Sequence, residues 1–213
     1  MSIRSLMRGA VLLLACAVAP LAAARGAPAE APAAKPPVPL LWKVTGPGDA
    51  RVYLLGSFHL LKPTDYPLSA DVEQAFTASK RVLFEVSPEE MESTQAATQM
   101  VQTAIRRDGS ELKRDLDDAT WQKLQAYATQ NKLPLAQLQG MKSWFVALNI
   151  TIGQMQKMGL DANLGLDRYF MAQAKKAGKQ TGGLEDMQSQ INLLDGMSLQ
   201  EQRQMMAEAL DQA

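Results

Sequence analysis

The chain has 213 residues, of which 46% are apolar and 21% are charged, with 22 basic and 22 acidic side chains. This composition is that of a globular protein rather than a disordered one. No basic stripe interleaves with aromatic residues, so we expect no nucleic-acid partner, and the single cysteine excludes a disulfide within the chain.

The N-terminus has the layout of a secretory signal peptide. Arg4 and Arg8 precede an apolar run at residues 9–18, and small residues follow at 22–24. This run is about half of the roughly 20 apolar residues that a membrane-spanning helix requires. We therefore predict that residues 1–24 are cleaved and that the protein is periplasmic or secreted.

Cys16 offers an alternative route of processing. The sequence Leu-Leu-Ala-Cys at residues 13–16 loosely resembles a lipoprotein processing box, in which case Cys16 would carry a lipid and anchor the protein to a membrane. Residues 25–39 are rich in Ala and Pro and are predicted to be a disordered spacer. Residues 40–213 then form one folded domain.

The first part of this domain alternates between strand and helix patterns. Apolar runs at 40–45 and 51–58, separated by Gly46-Pro47-Gly48-Asp49, predict a hairpin. A helix follows at about 70–80, with Ser69 as its N-cap, and leads to a strand at 81–86. We expect the strands at 51–58 and 81–86 to be parallel neighbours in a βαβ unit.

The remainder of the sequence is predominantly helical. Pro, Gly and Asp signals place helices at about 88–107, 117–131, 134–158, 164–176, 185–194 and 198–213, with a short strand at 179–184. Asp117 is the predicted N-cap of the second of these helices. The fold class is therefore an α-rich α/β protein, with a hairpin and a βαβ unit followed by a long helical region.

His59 and Glu85 are the main candidates for chemistry. His59 is the only histidine and follows the second strand in the motif Gly56-Ser57-Phe58-His59, while Glu85 lies near the end of the next strand. Parallel strands present their carboxyl ends at the edge where ligands bind. Imidazole with carboxylate is suited to binding a divalent metal, or to acting as a general base with its orienting partner. The alternative is that both are solvent-facing polar residues without a catalytic role.

Four further residues are weaker candidates. Gly56 would allow a ligand or another backbone to approach closely. Glu185 either enters the same site or places a negative charge at the start of the following helix. Asp65 and Glu89 either supply a third oxygen ligand or are ordinary surface carboxylates.

Several segments together resemble proteins of the TraB/GumN family, which also includes the TIKI-type metalloproteases. These segments are LWKV at 41–44, VYLLGSFHLL at 52–61, YPL at 66–68, VLFEV at 82–86, GLDRYF at 165–170, and GLED at 183–186 followed by Gln190. A GxxH motif alone arises by chance, but the order and spacing of the whole set are more specific. The resemblance covers essentially residues 40–213.

The resemblance implies an α/β fold and an active site built from two GxxH motifs and a glutamate. His59 matches the first GxxH motif and Glu85 matches the glutamate, which implies that both are catalytic and bind a divalent metal such as Mn, Co or Zn. No histidine follows His59. We therefore expect either a truncated version of the family's chain, lacking its C-terminal half, or an incomplete site that the missing half or a partner chain would complete.

Two functions compete on this basis. The first is an exported, metal-dependent, peptidase-like hydrolase acting on a peptide or protein, which would be weak or inactive as this chain alone. The second is a non-catalytic envelope protein that binds a partner, with a link to exopolysaccharide production suggested only by the family's name.

Overall fold

The computed structural model describes residues 39–213. The predicted signal peptide with Cys16, and the predicted spacer apart from Pro39, lie outside the described residues. No helix of the described part is long and apolar enough to cross a membrane.

The predicted hairpin is confirmed. Strand β1 (Leu41–Thr45) pairs antiparallel with β2 (Arg51–Leu55). The turn between them places Gly48 at φ 66°, a conformation that favours glycine. Leu41 and Leu55, which are directly opposite each other, pack against the apolar core, whereas the pair Trp42 and Leu54 is exposed.

The predicted pairing of the second and third strands is wrong. After helix α1 (Ala70–Ala78), strand β3 (Arg81–Val86) pairs in parallel with β4 (Gln180–Glu185) rather than with β2. β4 itself was predicted at residues 179–184, one residue before its observed position. The two pairs form separate two-stranded sheets, β1-β2 and β3-β4. The connection between these two parallel strands is therefore residues 87–179, which hold most of the helical region, rather than α1 alone.

The segment after β2 explains this difference. The backbone of Leu61 exchanges hydrogen bonds with that of Asp161, at 2.8 and 3.2 Å, and the Leu166 N–H donates to the Phe58 carbonyl at 2.8 Å. These bonds fasten the end of β2 to residues about 100 positions later in the chain. Because these contacts join residues far apart in the sequence, the spacing between β2 and β3 could not predict them.

Two of the long predicted helices are interrupted. The helix expected at 88–107 is two helices, α2 (Pro88–Met91) and α3 (Thr94–Ala104), because the Ser93 hydroxyl accepts from the Ala96 N–H and starts a new helix. The helix expected at 134–158 is α5 (Leu135–Gln139) and α6 (Ser143–Lys157). Met141 lies between these two helices, and its backbone forms an isolated antiparallel β-bridge with that of Ile105.

The other helices lie close to their predicted positions. They are α4 (Asp118–Gln130), α7 (Leu166–Lys176), α8 (Met187–Asp195) and α9 (Leu199–Asp211). The predicted cap Asp117 accepts from the Thr120 N–H at 2.7 Å. Ser69 occupies the N-cap position of α1, but its buried hydroxyl has no hydrogen-bond partner among the described residues.

The apolar side chains form two clusters. The larger lies among the helices and is built on Leu112, Leu124, Val146, Ile150, Met206 and Leu210. The smaller lies beneath the strands and contains Val72, Phe84, Leu166, Phe170 and Met171. The smaller cluster holds α1 and α7 against β3, and its residues therefore support the region around His59 and Glu85.

Candidate functional site

His59 lies in the loop that follows β2, beside the N-terminus of α7. The contact between the two backbones is close, since a Cβ atom at Gly165 would lie 2.2 Å from the His59 carbonyl oxygen. Only glycine fits at residue 165 without displacing the loop. Gly165 and the bond from the Leu166 N–H to Phe58 together set the position of the His59 backbone.

Asp167 fixes the imidazole. Its Oδ2 atom lies 2.8 Å from Nδ1 of His59 and accepts a 2.5 Å hydrogen bond from the Ser57 hydroxyl. The Asp167 side chain is only 8% exposed. It occupies the first turn of α7, where the helix dipole favours a negative charge. This buried carboxylate is therefore anchored by its helix and orients the histidine.

Glu85 faces the other nitrogen of the same ring. Its Oε2 atom lies 3.5 Å from Nε2 of His59, and the two side chains are 51% and 58% exposed. The sequence prediction that these residues lie close together is confirmed, although the strands that carry them are not paired. Their catalytic and metal-binding roles stay predictions.

The carboxylates shift the protonation of the histidine. The hydrogen bond to Asp167, together with the charges of Asp167 and Glu85, raises the pKa of His59 above 6.5 despite the opposing effect of burial. Burial would raise the pKa of Asp167, but the hydrogen bonds from His59 and Ser57 outweigh it and hold that pKa below 3.8. The pair thus favours an ionised Asp167.

This geometry defines the available chemistry. When His59 is neutral, the carboxylate of Asp167 selects the tautomer with its proton on Nδ1, which leaves the lone pair of Nε2 facing Glu85. A serine nucleophile activated by histidine does not fit, because Ser57 donates to Asp167 rather than to an imidazole nitrogen. The groups that remain available for chemistry are therefore Nε2 of His59 and the carboxylate of Glu85.

The same donors fit two positions of a metal site. A ligating histidine commonly donates its second N–H to a carboxylate, as His59 does to Asp167. The 3.5 Å between Nε2 and Oε2 is close to the separation of two tetrahedral ligands at about 2.0–2.2 Å from one ion. Asp167 lies on the opposite side of the ring, and among residues 39–213 no group of three His, Cys, Asp or Glu side chains is arranged to hold an ion.

The four weaker candidate residues differ in their positions and contacts. Gly56 is adjacent to the site, where a Cβ would lie 3.0 Å from that of Leu40, so it allows close packing of the hairpin. Glu185 is exposed at the end of β4 and makes no ion pair within the described part of the chain. Asp65 instead accepts a 2.7 Å bond from the Lys62 N–H, and Glu89 is exposed in the first turn of α2.

Asp167 is the residue of this candidate site that sequence reasoning missed. It lies 108 residues after His59, so no local spacing connects the two. The available signal was its place in the quoted segment GLDRYF, where an acidic residue lies two positions after a glycine, in the first turn of a helix. That signal identified the helix but not the partner of the carboxylate.

A family model described as the TraB/PrgY/gumN family matches residues 40–213. No significant match to a curated protein or to a solved structure was found.

Proposed function

Since the chain belongs to the TraB/PrgY/gumN family, we propose that it is an exported, metal-dependent hydrolase of peptidase type, with His59 and Glu85 as its reactive pair. The observation that carries the proposal is the arrangement of the imidazole, with Nδ1 held by the buried Asp167 and Nε2 facing Glu85. Export rests on the signal pattern of residues 1–24.

Each residue has a separate task in this mechanism. Asp167 holds the proton on Nδ1 and keeps the ring oriented, and Ser57 neutralises part of the charge of that carboxylate by donating to it. Nε2 of His59 and the carboxylate of Glu85 are the two donors that would hold a divalent cation such as Mn²⁺, Co²⁺ or Zn²⁺. Such a cation, when bound, polarises a carbonyl and lowers the pKa of a water molecule.

The number of donors limits the activity of this chain. Catalytic zinc sites usually have three protein ligands and keep one position open for water. The described residues supply two. We therefore propose that cleavage by this chain alone is slow, and that another polypeptide segment or a partner chain completes the site.

The function is tested by peptide hydrolysis. Purified protein is incubated with a mixed pool of fluorogenic peptides and Mn²⁺, Co²⁺ or Zn²⁺, and compared with the variants His59→Ala and Glu85→Gln. Glu89→Gln is the matched control, because Glu89 is an exposed carboxylate of the same region. We expect slow, metal-dependent cleavage that Glu89→Gln retains and the other two variants lose. Cleavage no faster than that of His59→Ala would reject the hydrolase.

A second candidate is a non-catalytic envelope protein that binds a partner. The observation that favours it is the outward face of the hairpin, where Trp42, Val44, Val52 and Leu54 are each more than half exposed. An apolar cluster of this kind commonly marks an interaction site. A rejected hydrolase together with an intact fold would leave this candidate as the better account.

A further inference from the structure

A cavity of about 380 Å³ separates β2 from β3 beside the candidate site. Tyr53 and Leu55 of β2 line one side, and Leu83 and Glu85 of β3 line the other. Its floor is apolar and consists of side chains from α1 and α7, including Val72, Phe76 and Phe170. The volume lies within the usual range of about 300–1,000 Å³ for ligand pockets.

The backbone of β2 has an unpaired edge. Gly56 donates to the Leu40 carbonyl and Gly46 to the Ala50 carbonyl, both at 2.8 Å. Hydrogen-bonded and non-bonded pairs alternate in an antiparallel ladder, so residues 52 and 54 direct their backbone groups toward β1. Residues 51, 53 and 55 direct theirs away from β1. Within residues 39–213 that edge pairs with no other strand.

β3 also presents an edge to this cavity. Side chains from both faces of the strand line the space, since Phe84 points into the core while Leu83 and Glu85 are exposed. A cavity bordered by both faces of a strand meets that strand at its edge. β4 pairs with one edge of β3 and reaches the cavity through Leu184, which lies beside Glu85 in the register. The other edge of β3 pairs with no strand within residues 39–213. The cavity is therefore bordered by the open edges of two strands.

We propose that an extended polypeptide segment binds in this cavity as an added strand that joins the two sheets. Unpaired backbone N–H and C=O groups on either side are satisfied by another backbone, as in other cases of strand addition. A compact apolar ligand would fill the floor but leave both edges without partners. Alternate side chains of the segment would contact the apolar floor, which selects residues such as Val and Ile.

The added strand would pass directly beside the reactive pair. Ser57, Glu85 and Asp167 line the same cavity, and Nε2 of His59 is 3.5 Å from Glu85. The inference deepens the proposed function by naming an extended peptide as its substrate class, and only the cleavage step rests on that function. Binding itself depends on the two strand edges.

The probe is a pool of acetylated, amidated heptapeptides with Val, Ile or Thr at positions 2, 4 and 6 and other residues randomised. The pool is selected on the immobilised protein, and the recovered sequences are resynthesised with and without N-methylation at positions 3 to 5. N-methylation removes backbone donors and leaves the side chains unchanged. We expect the unmodified peptides to bind at least tenfold more tightly than their N-methylated forms.

Two variants locate the binding on β2. Tyr53→Pro removes an outward N–H without removing a bond to β1, and proline is tolerated on an edge strand. Tyr53→Ala is its matched control because it loses the same side chain. We expect Tyr53→Pro to lose at least tenfold in affinity relative to Tyr53→Ala, with equal thermal stability of the two variants as evidence of an intact fold.

The outcomes separate this inference from the proposed function. Peptides that bind by these criteria but are not cut would support strand addition and count against the hydrolase. No enriched peptide at millimolar concentration, or equal binding of the N-methylated forms, would overturn strand addition. A dimer that Tyr53→Pro dissociates would also overturn it, since the occupant would then be a second copy of the chain.

Discussion

At the scale of single residues, the contact between Asp167 and His59 makes stability depend on pH. The pKa of His59 is raised above 6.5, so its contribution is fully present below about pH 6.5 and is lost as the pH rises through the raised value. The pKa of Asp167 is lowered below 3.8, so its contribution is present above that value and is lost as the pH falls through the lowered one. The pair therefore stabilises the fold most between these limits.

Asp167→Asn tests this window. We expect the difference in unfolding free energy between the wild type and Asp167→Asn to be largest near pH 5–6 and to shrink toward both pH 9 and pH 3. Urea denaturation in metal-free buffer containing a chelator measures it across this range. Glu89→Gln, an exposed carboxylate, serves as the control. A difference that does not change with pH would contradict the described contact.

Gly165 tests the packing that positions His59. A Cβ at this residue would lie 2.2 Å from the His59 carbonyl oxygen, so Gly165→Ala must displace the loop or the start of α7. We expect it to destabilise the protein by about 1–3 kcal/mol, the usual cost of overpacking. At Gly140 a Cβ would have its nearest contact at 3.8 Å, so Gly140→Ala is the control. Equal thermal melting of the two variants would refute this packing.

At the scale of secondary-structure elements, Ser93 separates α2 from α3. Its hydroxyl accepts from the Ala96 N–H at 3.3 Å, whereas the Ser69 hydroxyl at the N-cap of α1 has no hydrogen-bond partner within residues 39–213. We expect Ser93→Ala to destabilise the protein by about 1 kcal/mol, the typical value of an N-cap. Ser69→Ala should be neutral or slightly stabilising. The two variants are compared by urea denaturation, and the reverse order would show that the caps are misassigned.

The positions of most elements and the pairing of β1 with β2 could be predicted from sequence, but the partner of β3 could not. Local signals such as Asp117 as an N-cap and the Gly-Pro turn of the hairpin act within a few residues, and these predictions are confirmed. The pairing of β3 with β4 depends instead on contacts about 100 residues apart. The same limit applies at the site, where the strand ends indicated His59 and Glu85 but only the tertiary fold brings in Asp167.

At the scale of the whole molecule, the signal pattern predicts processing. We expect intact-mass analysis of the protein from the periplasm of an expressing bacterium to show a chain shortened by residues 1–24. A mass with lipid added at Cys16 would identify the membrane-anchored alternative. Recovery of the unprocessed chain in the cytoplasm would contradict export.

The central claim is that His59 and Glu85 form one site oriented by Asp167, and calorimetric titration with Mn²⁺, Co²⁺ and Zn²⁺ tests it most directly. Two protein ligands should give a dissociation constant no tighter than about 1 μM, or about −8 kcal/mol. We expect His59→Ala to abolish binding and Glu89→Gln to leave it unchanged. Asp167→Asn should weaken binding by about 10–100-fold, the usual effect of losing an orienting carboxylate. Tight, stoichiometric binding that persists in His59→Ala would contradict the claim.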